Sequence, residues 1–221
     1  MLKLSQKQTL KQLDIIIKDV FSQEETGHDY AHTKRVVNLT SRFVYPGVDA
    51  FVSLSIAYLH DVFDDKINKV DDLSTALSKF FIKHDLDFEG KEQDIKLGVS
   101  QIGYKGGFGV KHKTPEATLV SDADYLEAMG SIGIARTFYY AGSKGTPLFI
   151  EGLSLRDIDS LETYREESKH ALSHLDEKLL KLVHLIESPK AKEIATRRHA
   201  MLVSFQDEFM LEMEEASELK I

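Results

Sequence analysis

Apolar residues along this chain recur at three- and four-residue intervals, and no stretch of useful length alternates polar with apolar. That restricts the fold to packed helices, because a half-buried strand needs a period of two. Leu10, Leu13, Ile16, Ile17, Val20 and Phe21 form the first amphipathic face, over 7–23, and Gly27 follows as a stop. A second helix is expected over 29–44, with Val36, Val37, Leu39 and Phe43 inward. After the break at Tyr45-Pro46-Gly47 comes a third, which Asp49 is placed to cap and which ends in His60-Asp61. Asp71-Asp72 opens a fourth helix to about His84, and a fifth spans about 89–102. Thr114-Pro115-Glu116-Ala117, with Pro at the first helical position, starts a sixth that the pattern carries unbroken to about Gly142. From Ser160 two long helices complete the chain, divided near Ser188-Pro189. The expectation is all-α, with seven to nine helices and long C-terminal ones.

Composition narrows the chemistry. The chain has 221 residues and no cysteine, which removes disulfides, thiolate zinc sites and cysteine nucleophiles and fits a reducing, cytoplasmic setting. Any metal must therefore be held by histidine and carboxylate. The formal net charge of -8 disfavours a nucleic-acid-binding surface. No run approaches the ~20 apolar residues that span a membrane, and the lysine- and glutamine-rich start, MLKLSQKQTLKQL, does not read as a signal peptide.

The polar residues that stand out are grouped. Tyr58 to Lys66 reads YLHDVFDDK, directly after the apolar run from Phe51 to Ala57. Where a buried helix should give way to solvated residues, an imidazole and a carboxylate arrive side by side. On a regular helix neighbours diverge by about 100°, but at a fraying last turn both can reach one ion. Upstream, His28, His32 and Arg35 share neighbouring faces at helical spacing, with Asp29 among them. Downstream, Asp122 and Asp124 lie among apolar neighbours, where an unpaired carboxylate is costly. Two imidazoles and two carboxylates from three helices make a mixed nitrogen–oxygen set, suited to Mn, Fe, Co, Ni or Mg.

This pattern resembles the HD superfamily of metal-dependent phosphohydrolases, whose signature is a His, a His-Asp doublet and a later Asp. GHDYAHTKRV (27–36), LHDVFDDK (59–66), TPEATLVSDADYLEAMGSIGIARTF (114–138) and RRHAMLVSFQDEF (197–209) resemble a bacterial subgroup of small stand-alone HD proteins, over nearly the whole chain. The resemblance implies a single domain over 1–221, with a metal-site core at about 25–140 and a C-terminal helical part at about 158–218. It implies His32, His60, Asp61 and Asp124 as ligands of a divalent ion (Mn, Co, Ni, Fe or Mg). Asp122 competes for the last place; the two acids lie about 200° apart on a helix, and the family pattern favours Asp124. Tyr125 stands where the subgroup usually has Arg.

The function so implied is hydrolysis of a small phosphate ester or anhydride by metal-activated water, a nucleotide being the leading substrate. Asp64 or Asp65 would handle the water's proton, and Lys66 and Arg35 would offset phosphate charge. His28 is a candidate to support the metal from outside its ligand set. The glycine-rich, basic loop 104–113 reads as a phosphate-cradling nest or as a connector, and it lacks the Walker spacing. A homodimer is allowed. The alternative is a catalytically idle fold that binds a nucleotide as a sensor. Glu25-x-x-His28 and Glu167-x-x-His170 match a di-iron spacing, but this many Glu and His produce such matches by chance, and Gly27 spoils the first.

Overall fold

A computed structural model describes residues 1–22, 29–63, 72–166 and 168–217. His28, Asp64, Asp65, Lys66 and Asp71 lie outside the described residues. All regular structure among the described residues is helical: α1 (Leu4–Val20), α2 (Tyr30–Phe43), α3 (Ala50–Leu59), α4 (Leu73–Lys83), α5 (Glu92–Ser100), α6 (Pro115–Glu127), α7 (Gly130–Lys144), α8 (Leu161–Arg165), α9 (Ser173–Glu177) and α10 (Pro189–Ser217), with short 3₁₀ turns at Lys105–Gly107 and Leu179–Leu185. None of the described helices is long and apolar enough to cross a membrane.

The chain divides into two compact units, Met1–Asp124 and Tyr125–Ile221, with the division inside α6. In the first, α3 is the axis. Phe51, Val52, Ser53, Ser55, Ile56, Ala57, Tyr58 and Leu59 are all buried, so the helix is covered on nearly every side by α1, α2 and α5. Gly98 of α5 lets α5 come close: a Cβ there would sit 2.2 Å from Ile56 Cδ1, and Ile56 is fully buried. Leu13, Ile17, Leu77, Phe88, Ile95 and Leu119 fill the remaining core, each contributing about 1.5–3 kcal/mol by leaving water.

The helix starts follow local chemistry. Asp29 caps α2 by accepting from His32 N, Asp49 caps α3 through Phe51 N and Val52 N, and Asp72 caps α4 through Ser74 N and Thr75 N. Asp49 also pairs with Lys91 at 2.8 Å, and its backbone N–H donates to Glu116 Oε1 at 3.0 Å. The beginnings of α3 and α6 are thereby tied together.

Two expectations are corrected in the second unit. The helix expected to run unbroken from 115 to 142 is interrupted at 128–129. Gly130 has φ +68°, a left-handed backbone that ends α-helical propagation, and a Cβ there would meet Arg198 Cγ at 3.0 Å. Arg198 Nη1 also donates to the carbonyl of Leu126, which accepts from Met129 N as well, in a tightened last turn.

The first of the two long C-terminal helices is replaced by α8, α9 and the second 3₁₀ turn, so that only α10 is long. Here side chains outcompete the helix. Arg156 Nη1 donates to the carbonyls of Thr163 and Glu166, at 3.2 and 2.9 Å, and the ring Nδ1 of His170 accepts from Ser173 N at 3.1 Å. The same guanidinium grips Glu177 with two bonds of 2.9 and 2.7 Å, and Ser168 Oγ donates to the same carboxylate at 2.5 Å.

Glu177 is buried, which pushes its carboxyl up, but Arg156 and Ser168 outweigh this and hold it below its ordinary value of 4.5. A depressed carboxylate stabilises the fold above its unfolded pKa, and that contribution is lost as the pH falls through the native one. Glu177→Gln is expected to destabilise the protein by about 1.5–3 kcal/mol at neutral pH, because the half-buried Arg156 loses its charged partner and keeps only carbonyl acceptors. It should also flatten the decline in stability below about pH 4.5. Urea midpoints measured at neutral pH and down through pH 3 check both; an unchanged acid decline would exclude Glu177 as its source.

Candidate metal centre

The polar residues converge because of where α3 stops. Its helical bonding ends at Leu59, His60 keeps helical angles as the cap (φ -59°, ψ -34°), and residues 61–63 form a turn. Released from the helical ladder, Asp61 folds back so that its Oδ2 lies 3.3 Å from His60 Nε2. From α2, His32 Nε2 lies 3.4 Å from the same Oδ2. From α6, Asp124 Oδ1 lies 3.5 Å from His32 Nε2 and 4.0 Å from His60 Nε2. The two imidazoles meet edge to face, ring centroids 5.5 Å apart. All four residues lie in the first unit.

His32, His60 and Asp61 are buried, and each offers one atom within 4.8 Å of the others. Ligands about 2.1 Å from one ion, at angles of roughly 90–110°, sit about 3.0–3.4 Å apart, close to the spacings here. The tautomer of His60 fits as well. His60 Nδ1 lies 2.8 Å from the carbonyl of Ala57, which calls for a proton on Nδ1 and turns Nε2 toward the carboxylates. That Nε2 is buried and makes no hydrogen bond, although Asp61 lies so near. A lone pair facing an acceptor is unfavourable unless a cation lies between them.

The charges agree with the geometry. Burial disfavours a charged His60, yet Asp61 and Asp124 overcome it and raise its pKa. Burial likewise pushes Asp124 up, but contact with His32 and the influence of His60 hold it well below the ordinary carboxylate value. The site is therefore built to favour positive charge. The buried His-His-Asp cluster is consistent with a divalent metal, and the residues present fit one.

Of the two acids on α6, Asp124 meets the imidazoles and is part-exposed, whereas Asp122 is buried at 1% exposure. Asp124→Ala is expected to lose the ion, while Asp122→Ala keeps it and loses mainly stability. Metal content and thermal unfolding of the two purified variants test this, and equal occupancy in both would overturn it. Arg35 is half-buried on α2, one turn beyond His32. Asp64, Asp65, Lys66 and His28 fall outside the described residues, and their roles stand as sequence expectations. Asp29 was legible only as a polar residue in the first turn of α2; its part in fixing the backbone at His32 appears with the cap bond of 2.7 Å.

No family profile matches the chain. It is 28% identical to the uncharacterised protein YpgQ of Bacillus subtilis over 207 residues, covering 89% of this chain and 91% of that one. A crystal structure from Lactobacillus plantarum superposes with a TM-score of 0.82 at 28% identity, over 97% of this chain and all of that one. An HD-superfamily hydrolase from Bacillus thuringiensis superposes with a TM-score of 0.71 at 28% identity, over 95% and 98%. YpgQ has also been crystallised with ADP; that structure aligns with a TM-score of 0.65 at 23% identity, over 95% and 98%. The fold is the all-α HD fold.

Proposed function

We propose that the protein is a metal-dependent phosphohydrolase acting on a small phosphate ester or anhydride, most naturally a nucleotide. The observation that carries this reading is the convergence of His32 from α2, His60 and Asp61 from the end of α3, and Asp124 from α6. The likeness to an HD-superfamily hydrolase supports hydrolysis, and the ADP complex of YpgQ supports a nucleotide. A divalent ion held here would supply Lewis acidity, acidifying a water and polarising a phosphoryl oxygen.

The chain's own residues would do the rest. His60, fixed by its bond to Ala57, and His32, fixed by the Asp29 cap, keep the imidazoles in place. Asp64 or Asp65 would take the water's proton, and Lys66 with Arg35 would offset charge building on the phosphoryl oxygens. Phosphoryl transfer asks little else of a protein than positioning and electrostatics.

The test is a nucleotide panel with the Mn²⁺- or Co²⁺-loaded protein, measuring orthophosphate and pyrophosphate separately. Orthophosphate release marks a nucleotidase and pyrophosphate release a triphosphate pyrophosphohydrolase. Tight nucleotide binding with neither product would favour an idle nucleotide sensor, the reading that the bound ADP of YpgQ also permits.

A further inference from the structure

A second polar cluster lies in the first unit and belongs to no ligand set. Asp14 of α1 receives three donors on its Oδ1: Tyr30 Oη at 3.0 Å, Tyr58 Oη at 2.9 Å and Lys34 Nζ at 2.6 Å. Lys34 Nζ also reaches Tyr58 Oη at 3.3 Å and lies over the Tyr58 ring, 5.7 Å from its centroid. The cluster thus joins three helices through one carboxylate oxygen.

Its place along the helices is informative. Tyr30 and Lys34 flank His32 by two residues on either side, and Tyr58 precedes His60 by two. Two residues are about 200° of helical rotation. Both sets therefore leave their helices on the side away from the imidazoles, at the level where His32 and His60 face each other. We propose that Asp14 is a positioning residue of the metal centre. By gripping α2 and α3 through Tyr30, Lys34 and Tyr58, it holds His32 and His60 at the separation an ion requires. This rests on the metal reading of the site given above.

Apolar packing alone would do this less well. Contacts between α2 and α3 are largely non-directional and tolerate small slides, whereas three bonds to one oxygen set both distance and register. Ligands must be held within about 0.5 Å of their working positions, so a small slide of α2 along α3 matters. Removing the carboxylate also strips the buried Tyr58 hydroxyl of its acceptor, so the structure around it has reason to shift.

The test is a Co²⁺ titration followed by visible absorption, with helical content checked by circular dichroism. It uses the parent, Asp14→Ala, Asp14→Asn, Tyr58→Phe, the double variant Asp14→Ala/Tyr58→Phe, and His60→Ala. Asp14→Ala is expected to weaken Co²⁺ binding by about 10–100-fold, the range for losing an outer partner of a metal site, with helical content and a folded baseline retained. Asp14→Asn, which still offers an acceptor oxygen, should recover part of the loss. Tyr58→Phe should weaken binding as well, and the double variant should be little worse than Asp14→Ala alone.

Parental affinity and spectrum in both Asp14→Ala and Tyr58→Phe, however much their stability falls, would reduce the cluster to a structural contact and overturn the inference. Should Asp14→Ala fail to fold, Tyr58→Phe decides, because it deletes one hydroxyl and leaves the ring in place. His60→Ala separates the two levels of the argument. If it binds Co²⁺ as the parent does, the metal reading fails and this inference with it. If it loses Co²⁺ while the Asp14 and Tyr58 variants keep it, only the positioning role is wrong.

Discussion

Replacing His60 with alanine is expected to abolish stoichiometric uptake of a divalent ion and to bring turnover down to background. His60 is buried, its Nε2 aims at two carboxylates, and its other nitrogen is engaged by Ala57, so Nε2 is the atom it offers to an ion. Asp61→Ala should have the same outcome, because its Oδ2 lies within 3.4 Å of both imidazoles. The affinity loss should exceed the roughly 10–100-fold that follows removal of an outer partner. Metal-to-protein ratios after dialysis against the chosen ion, set beside the parent, provide the measurement. Full retention of metal in either variant would sink the ligand assignment, whatever the activity did.

The second large effect concerns the attacking water. If Asp64 or Asp65 accepts its proton, changing both to asparagine keeps their shape and removes their basicity. Turnover should fall by about two to four orders of magnitude, the range for losing a general base. Metal content should stay at the parental level and substrate affinity should change little, because neither residue is assigned to the ion or to the phosphate. The acidic limb of the pH–rate profile should vanish as well. The single variants must accompany the double one, since neighbouring acids can substitute for each other. A double variant that turns over at the parental rate, with the acidic limb intact, would show that no carboxylate partner is needed.

Much of the first unit could be read from residues alone. Period-3.6 patterning placed α1 to α5 to within a few residues, and the caps at Asp49 and Asp72 follow from side chains that can accept backbone N–H groups locally. These are short-range effects, carried by neighbours in the chain, so the chain order contains them. His60-Asp61 at the end of an apolar helix was legible for the same reason. So was the possibility that a fraying turn lets both side chains reach one point.

Where the expected helices end early, side chains from outside them bond to their backbone carbonyls. The break before α7 needs Arg198, far along the chain, on the carbonyl of Leu126, and Gly130 in a left-handed conformation beneath it. The long helix expected after Ser160 gives way where Arg156 bonds to two of its carbonyls and pairs with the buried Glu177. Helical spacing is satisfied in both places and loses to hydrogen bonds that only the folded chain brings within reach.

By itself, then, the sequence determined the helical class, the helices of the first unit, and which residue types could hold an ion. The tertiary structure brings Asp124, the acid that the family pattern favours, against the imidazoles, and it alone shows that Asp14 ties α2 to α3 behind them. The reason is one of distance. Periodicity reports which side of a helix is apolar, whereas a metal site depends on atoms from helices dozens of residues apart meeting within a few ångströms, and packing sets that.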